Sequence, residues 1–100
     1  MAVKDIVEKA IEENTVVVFS KTTCPYCRQV KALFKKGFPD VEVKVIEIDE
    51  VEDGRLIQDY LQQKSGQRTV PNIFIKQKHI GGCDDTISLN QSGKLKAILA

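Results

Sequence analysis

The chain has 100 residues, of which 42% are hydrophobic and 29% are charged, and its formal net charge at pH 7 is +1. A chain of this size and composition is predicted to form one globular domain, residues 1–100, rather than two domains or a disordered segment. The near-neutral charge argues against nucleic acid as the main partner, and the apolar runs are far shorter than the roughly 20 residues that cross a bilayer, so no membrane partner is expected.

Hydrophobic spacing in the first third of the chain predicts a helix, a strand and a second helix. From Val3 to Ile11 the apolar residues recur at i, i+3, i+4, i+7 and i+8, as on one face of an amphipathic helix, and Asn14 interrupts the pattern. The unbroken apolar run Val16–Phe19 is typical of a strand that is covered on both faces. Helical spacing returns from Pro25 to about Lys36, with Gly37 expected as the left-handed residue after the helix.

The rest of the chain predicts a strand, a helix, a hairpin and a helical tail. Apolar residues over 41–48 predict the strand, and the acidic run Glu47–Asp53 is expected to be a solvated loop. Residues 53–64 have a helical apolar face, on which Tyr60 is expected to serve packing, and Ser65-Gly66 ends this helix. The predicted remainder is a pair of strands over 72–75 and 78–81 with a Gln77-Lys78 turn, and one or two helices over 84–100.

The order α-β-α-β-α-β-β-α predicts an α/β fold in which a four-stranded mixed sheet is flanked by helices on both faces. The first two strands are joined through a helix, so we expect them to be parallel with a right-handed crossover. The hairpin is expected to add an antiparallel pair, because strands joined by a tight turn run in opposite directions.

The stretch Thr-Cys-Pro-Tyr-Cys, residues 23–27, lies where the first strand gives way to the second helix. Proline is favoured at the first helical position, because the N–H that it lacks would have no partner there. With Pro25 in that position, Cys24 is the N-cap residue, and its sulfur is placed to accept hydrogen bonds from the N–H groups of Tyr26 and Cys27. The sulfur also faces the positive end of the helix dipole, so both interactions favour a Cys24 thiolate.

The helix dipole alone moves a thiol pKa by about one unit from its usual value near 8.5, since one unit corresponds to about 1.36 kcal/mol. The amide hydrogen bonds and the charge of Lys21, in the preceding loop, are expected to lower the pKa further. Cys27 lies one helical turn on, at a spacing that permits a disulfide with Cys24. We therefore predict Cys24 as the nucleophile and Cys27 as the more buried resolving thiol.

Two other uses of the cysteine pair are a zinc site and an inert structural pair. Zinc needs four ligands, which on paper are Cys24, Cys27, His79 and Cys83. Zinc motifs usually combine one C-x2-C pair with a second close pair, and this chain has no second pair. The charged N-terminus has no secretory h-region, so we expect a cytoplasmic protein, in which structural disulfides are rare. Redox chemistry is therefore the favoured use.

Four motifs occur in order along the chain: K-T-T-C-P-Y-C (21–27), I-Q-D-Y-L (57–61), T-V-P (69–71) and G-G-C-D-D (81–85). With this spacing the chain resembles the dithiol glutaredoxins of the thioredoxin-fold superfamily, and the resemblance covers nearly its whole length. It implies a thioredoxin-like fold. Thioredoxins themselves would show C-G-P-C after a tryptophan, and this chain contains no tryptophan.

The resemblance implies glutathione as reductant and co-substrate, a tripeptide with two carboxylates, an amine and one sulfur. Pro71 would have a cis bond to Val70, whose N–H and C=O would pair with the cysteine of glutathione. The helix start at G-G-C-D-D would receive the γ-glutamyl carboxylate, with Asp85 near the amine. The implied glutathione-binding residues are Lys21, Tyr26, Gln58, Arg68, Thr69, Val70, Pro71, Gly82, Cys83, Asp84 and Asp85.

Within this set, the residues expected near the glycyl carboxylate of glutathione are Lys21, Gln58 and Arg68. Tyr26 is expected beside the sulfur exchange. Cys83 is expected to serve the ligand through its backbone, with its thiol as a bystander.

The implied activity is that of a glutathione-dependent thiol–disulfide oxidoreductase, which reduces protein–glutathione mixed disulfides and protein disulfides through a Cys24 thiolate. The expected partners are glutathione, glutathionylated proteins and protein disulfides, and the expected state is a monomer without a metal. The alternative is a dimeric iron–sulfur cluster carrier or sensor that uses Cys24 and glutathione. Family members with that behaviour often have glycine or serine after the first cysteine, so Pro25 counts against it.

Overall fold

The computed structural model of the chain describes residues 2–100. Its elements are α1 (Val3–Glu13), β1 (Val16–Ser20), α2 (Pro25–Gly37), β2 (Val43–Glu47), α3 (Gly54–Ser65), β3 (Asn72–Ile75), β4 (Lys78–Gly81), α4 (Cys83–Gln91) and α5 (Lys94–Leu99). The strands form one sheet in the order β2-β1-β3-β4, with β1 and β2 parallel and the other two pairs antiparallel. The predicted four-stranded mixed sheet and its parallel first pair are confirmed.

The central strands β1 and β3 are buried along their whole length. Successive side chains of a strand point to opposite faces, so each central strand supplies two cores. One core lies against α1 and α3 and consists of Val7, Ile11, Val17, Phe19, Ile48, Ile57, Leu61 and Phe74. The other lies against α2, α4 and α5 and consists of Val16, Val18, Val30, Phe34, Ile73, Ile75, Cys83 and Leu95. The prediction of a first strand covered on both faces is confirmed.

The end of α2 differs from the prediction that Gly37 would adopt a left-handed conformation. Gly37 is the last residue of the helix, and Phe38 follows as the C-cap with its N–H donating to the Phe34 carbonyl oxygen at 2.9 Å. The rings of Phe34 and Phe38 lie with their centroids 6.3 Å apart. This contact between side chains closes the helix, so no left-handed glycine is needed there. The end of α3 follows the prediction, because Gly66 is left-handed with φ 79°.

The hairpin turn and the second strand also differ from the predicted boundaries. The turn consists of Lys76 and Gln77, with φ values of 49° and 71°, rather than of Gln77-Lys78. A two-residue hairpin turn of type I′ needs positive φ at both positions and usually contains Asn-Gly. Lys76 and Gln77 are neither asparagine nor glycine, so the sequence did not mark the turn. The predicted position of the turn was wrong by one residue. Strand β2 covers Val43–Glu47, which is shorter than the predicted 41–48.

The connections of the sheet bring three loops to one end of the molecule. Strand β1 runs antiparallel to β3, and β3 runs antiparallel to β4. The end of β1, the start of β3 and the end of β4 therefore lie at the same edge of the sheet. Cys24 follows the end of β1, and the T-V-P motif precedes the start of β3. The G-G-C-D-D motif begins at the end of β4. Within residues 2–100, no helix has the length and apolar character needed to cross a membrane.

Packing between α1 and α3 includes polar contacts to the Glu8 carboxylate, one of them an ion pair with Lys64 at 2.9 Å. The Tyr60 hydroxyl donates a hydrogen bond to the Glu8 carboxylate, and the ring packs against the core on that side of the sheet. This bond raises the pKa of Tyr60 to about 12. The prediction that Tyr60 serves packing is confirmed.

Candidate active site

Cys24 occupies the N-cap of α2, as predicted from the proline that follows it. Its backbone is extended, with φ −94° and ψ 116°, and Pro25 is the first helical residue. The Cys24 Sγ accepts a hydrogen bond from the Cys27 N–H at 3.3 Å. The Cys24 N–H donates to the Lys21 carbonyl oxygen at 3.2 Å, which fixes the approach of the loop. The sulfur therefore stands at the positive end of the helix.

The pKa of the Cys24 thiol is lowered from its ordinary value. Burial acts to raise the pKa, but hydrogen bonds from the Cys27 thiol and from the N–H groups of Cys27 and Tyr26 outweigh it. The charge of Arg28, further along α2, also lowers the pKa of Cys24. The cation predicted for this role from the sequence was Lys21. These hydrogen bonds are present before any substrate arrives, and they favour the thiolate form of Cys24.

Cys27 is fully buried, with none of its surface exposed to solvent. Burial and the hydrogen bond to Cys24 raise the pKa of the Cys27 thiol. The three cysteines of the chain are free thiols in this structure. The two members of the pair therefore have opposite pKa shifts, toward the thiolate form at Cys24 and toward the protonated thiol at Cys27.

The loop before Cys24 is tied to Asp49 by contacts that the sequence did not predict. The Asp49 carboxylate accepts hydrogen bonds from the Thr22 N–H at 3.1 Å and from the Thr22 hydroxyl. These bonds hold the pKa of Asp49 below its usual range. The prediction of a solvated loop holds for the exposed residues 49–53 but is wrong for Glu47, which lies in β2 and pairs with Lys31 at 2.8 Å.

A cleft of about 400 Å³ lies beside the Cys24 sulfur. Its lining residues are Tyr26, Gln67, Thr69, Val70, Pro71, Gly82, Cys83, Asp84 and Asp85. The Val70–Pro71 bond is cis, as the resemblance implied. The Cys24 Sγ lies 3.9 Å from the Val70 carbonyl oxygen, so the nucleophile stands next to the T-V-P wall of the cleft. The volume falls in the range of small-molecule sites, about 300–1,000 Å³.

The opposite wall of the cleft is the start of α4. Gly82 is the N-cap of this helix, and its N–H donates to the Asp85 carboxylate at 3.0 Å. Gly81 has φ 122°, and a Cβ at that position would collide with the Asp85 carboxylate. Only glycine fits there without strain. The two acidic residues of the motif, Asp84 and Asp85, both line the cleft.

Three of the predicted glutathione-binding residues do not line the cleft: Lys21, Gln58 and Arg68. The Arg68 guanidinium pairs with Asp59 on α3, and the Gln58 amide donates to the Arg68 carbonyl oxygen at 3.3 Å. Their contact with a glycyl carboxylate stays a prediction, and for Arg68 it requires the ion pair with Asp59 to open. The other predicted positions surround the cleft.

Gln67 lines the cleft and was absent from the prediction. Its Nε2 donates to the carbonyl oxygens of Thr69 and Pro71, both at 3.0 Å. The only signal in the sequence is its position just before the T-V-P motif. A glutamine in a loop has no spacing or periodicity that would separate it from a solvated residue.

Cys83 and His79 complete the set of residues considered for metal. Cys83 has 6% of its surface exposed, and burial raises the pKa of its thiol. His79 Nε2 lies 2.9 Å from the Asn72 Oδ1, so that nitrogen is engaged by an amide. Among residues 2–100, no three His, Cys, Asp or Glu side chains converge to hold a metal ion. The geometry gives no support to the zinc interpretation.

The opposite pKa shifts predict that iodoacetamide alkylates Cys24 before Cys27 or Cys83 in the reduced protein. The thiolate is the reacting form, so the rate at Cys24 should persist at a lower pH than for a free cysteine and fall as the pH drops through the pKa of Cys24. The measurement is peptide mass spectrometry over a pH series, with an unstructured cysteine peptide as the reference. A Cys24 rate that follows the reference peptide would contradict the role of the N-cap hydrogen bonds.

Comparisons with known proteins agree with this geometry. A family model described as glutaredoxin matches residues 16–80. The chain is 50% identical over 98 residues to the protein named Glutaredoxin-1 of Rhizophagus irregularis, which covers 98% of this chain and 95% of that protein. The fold is similar to a buckwheat glutaredoxin–glutathione complex, with TM-score 0.92, 44% identity and coverage of 97% of this chain and 86% of that one. It is also similar to the holo form of glutaredoxin C1 from Populus tremula x tremuloides, with TM-score 0.91, 39% identity and coverage of 99% and 96%.

Proposed function

The chain belongs to the glutaredoxin family of thiol–disulfide oxidoreductases and has its thioredoxin-like fold, and from this premise we propose that it uses glutathione to reduce protein–glutathione mixed disulfides and protein disulfides. One observation carries the proposal. The Cys24 Sγ accepts the Cys27 N–H at 3.3 Å and lies 3.9 Å from the Val70 carbonyl oxygen, on the wall of a cleft open to a small ligand.

Deglutathionylation begins when the Cys24 thiolate attacks the glutathione sulfur of a mixed disulfide. A bond forms between Cys24 and that sulfur, the bond to the substrate cysteine breaks, and the protein thiolate leaves and takes a proton from water. The thiolate of a second glutathione then attacks the bound glutathione sulfur. This step releases glutathione disulfide and restores the Cys24 thiolate, so both attack and departure benefit from the lowered pKa.

Reduction of a protein disulfide needs both cysteines. Cys24 attacks one sulfur of the substrate disulfide and forms a mixed disulfide, while the substrate S–S bond breaks and the other substrate sulfur leaves as a thiolate that takes a proton from water. This step removes the thiolate charge beside Cys27. The Cys27 thiol then gives its proton to water and attacks the Cys24 Sγ; the bond between Cys24 and the substrate breaks, the second substrate thiolate leaves, and the Cys24–Cys27 disulfide forms. Two glutathione molecules reduce this disulfide. The short helical spacing of the pair allows the bond to close with little movement of the backbone.

The cleft offers groups that match the ends of glutathione. Val70 presents backbone groups on one wall, where the cysteine unit of glutathione is proposed to pair as an added strand. The N–H groups at the start of α4 are the proposed site of the γ-glutamyl carboxylate, and Asp85 is proposed to face the amine. The glutathione complex of the similar buckwheat glutaredoxin supports glutathione as the ligand.

Replacement of Cys27 by serine separates the two routes. The Cys27→Ser variant is expected to keep deglutathionylation of a glutathionylated peptide within about threefold of the wild type, because Cys24 alone performs that exchange. Reduction of a protein disulfide such as insulin should be lost, because no second thiol resolves the mixed disulfide. The measurement is the glutathione-coupled rate for each substrate. Loss of both rates would contradict a mechanism in which Cys24 acts alone in the first route.

The colour and oligomeric state of the purified protein distinguish the enzyme from an iron–sulfur carrier. We propose a monomer acting in the cytosol, where glutathione keeps thiols reduced. A colourless monomer with glutathione-coupled activity supports this proposal. A brown dimer with visible absorbance that needs both Cys24 and glutathione, and that lacks turnover, would favour the cluster carrier.

A further inference from the structure

We propose that Gln67 is a positioning residue that holds the T-V-P wall of the cleft in the geometry needed for glutathione, an inference that rests on the proposed function. Its amide nitrogen donates to the Thr69 and Pro71 carbonyl oxygens, both at 3.0 Å. These two carbonyls flank Val70 along the chain. Because C=O and N–H point in opposite directions across a trans peptide bond, holding the Thr69 C=O also fixes the direction of the Val70 N–H.

Gln67 is itself anchored to the sheet and to α3. The Gln67 N–H donates to the Ser65 hydroxyl at 3.2 Å, and the Gln67 carbonyl oxygen accepts from the Asn72 Nδ2 at 3.2 Å. Asn72 is fully buried, and its Oδ1 lies 2.9 Å from the His79 Nε2 on β4. The backbone of Gln67 is therefore held on both sides, and its amide group is a fixed support rather than a mobile side chain.

The amide group lies where the two walls of the cleft meet. A Cβ placed on Gly82 would lie 3.5 Å from the Pro71 carbonyl oxygen and 3.8 Å from the Gln67 Nε2. The T-V-P loop and the Gln67 amide thus both lie close to Gly82 at the start of α4. Loss of its two donors would let the Val70 backbone shift relative to the helix start, and one bound tripeptide contacts both walls.

The test compares Gln67→Met with Gln63→Met, a matched control at an exposed glutamine of α3. Methionine keeps the length of the side chain and removes both donors. Because two hydrogen bonds are lost, kcat/KM for a glutathionylated peptide should fall about tenfold in Gln67→Met, through KM, with kcat within about twofold. The rate of Cys24 alkylation by iodoacetamide should not change, because the N-cap contacts are separate.

A second readout measures binding without turnover. In the Cys27→Ser background, the fraction of Cys24 carrying glutathione is measured by mass spectrometry in buffers of defined glutathione and glutathione disulfide concentrations. Gln67→Met should shift this equilibrium about tenfold toward the free thiol, and Gln63→Met should not shift it. A residue with only a structural role would lower the melting temperature and leave both readouts unchanged.

Kinetics and adduct equilibrium identical to those of Gln63→Met would overturn the proposal, as would a fall in kcat with unchanged KM. If Gln67→Met does not fold, Gln67→Glu is compared in the same way, since it keeps the side-chain length and places a carboxylate against two carbonyl oxygens. A wild-type protein without glutathione-dependent turnover would overturn the proposed function as well. An active wild type with an unaffected Gln67→Met overturns only the role of Gln67.

Discussion

Replacement of Cys24 by serine is expected to abolish turnover of both glutathionylated peptides and protein disulfides, by at least about a thousandfold. Both routes pass through a covalent bond to the Cys24 sulfur. A serine hydroxyl is not ionised near neutral pH and cannot form a disulfide, so no alternative first step is available at that position. The measurement is the glutathione-coupled rate with each substrate, compared with the wild type and with Cys27→Ser.

The loss in Cys24→Ser should be chemical rather than structural. Serine is among the preferred N-cap residues, and its oxygen is placed to accept the Cys27 N–H that the sulfur accepts now at 3.3 Å. The thermal unfolding of Cys24→Ser should therefore match or exceed that of the wild type. Parallel losses of activity and of melting temperature would show that the variant unfolds and would not support a catalytic role.

The remaining cysteines are not expected to replace Cys24. Cys27 has no exposed surface, and Cys83 has 6%. Burial raises the pKa of both thiols, so each is less ionised near neutral pH than a free cysteine. Residual activity above about 0.1% of wild type in Cys24→Ser would show that one of them takes part in the first exchange, which would contradict the assignment of roles.

Replacement of Phe74 by alanine is expected to lower the free energy of unfolding by about 3–5 kcal/mol, because a large buried ring is removed from a packed core. The Phe74 side chain has 2% of its surface exposed. Its ring meets the Phe19 ring edge to face with centroids 6.1 Å apart, and it lies 5.1 Å from the His79 ring. Small domains are stable by only about 5–15 kcal/mol in total, so the variant is expected to be close to unfolding at 37 °C.

The matched control for Phe74 is the same substitution at Phe38. Phe38 is half-buried at the end of α2 and contacts Phe34 from the edge of the other core. Less buried area is lost there, so Phe38→Ala should lower the free energy of unfolding by about 1–2 kcal/mol. The measurement is urea unfolding followed by far-ultraviolet circular dichroism. An equal or larger loss at Phe38 would contradict the argument that the loss of stability follows the area that each ring buries.

Predictions that depended on neighbouring residues agree with the structure. Pro25 predicted the start of α2, and with it the Cys24 N-cap and the hydrogen bond from the Cys27 N–H, because all these atoms lie within one helical turn. The apolar run of β1 predicted a strand buried on both faces. The Lys76-Gln77 turn was misplaced because its conformation is imposed by pairing between β3 and β4 rather than by turn residues.

The sequence by itself determined that Cys24 is the N-cap of α2, the order of the elements and the motifs that surround the cleft. Only the tertiary structure decided that Asp49 supports the Thr22 loop and that the Cys24 sulfur lies beside the Val70 carbonyl oxygen. The reason is distance along the chain. Thr22 meets Asp49 across 27 positions and Cys24 meets Val70 across 46, and such contacts depend on how whole elements pack rather than on the residues beside them.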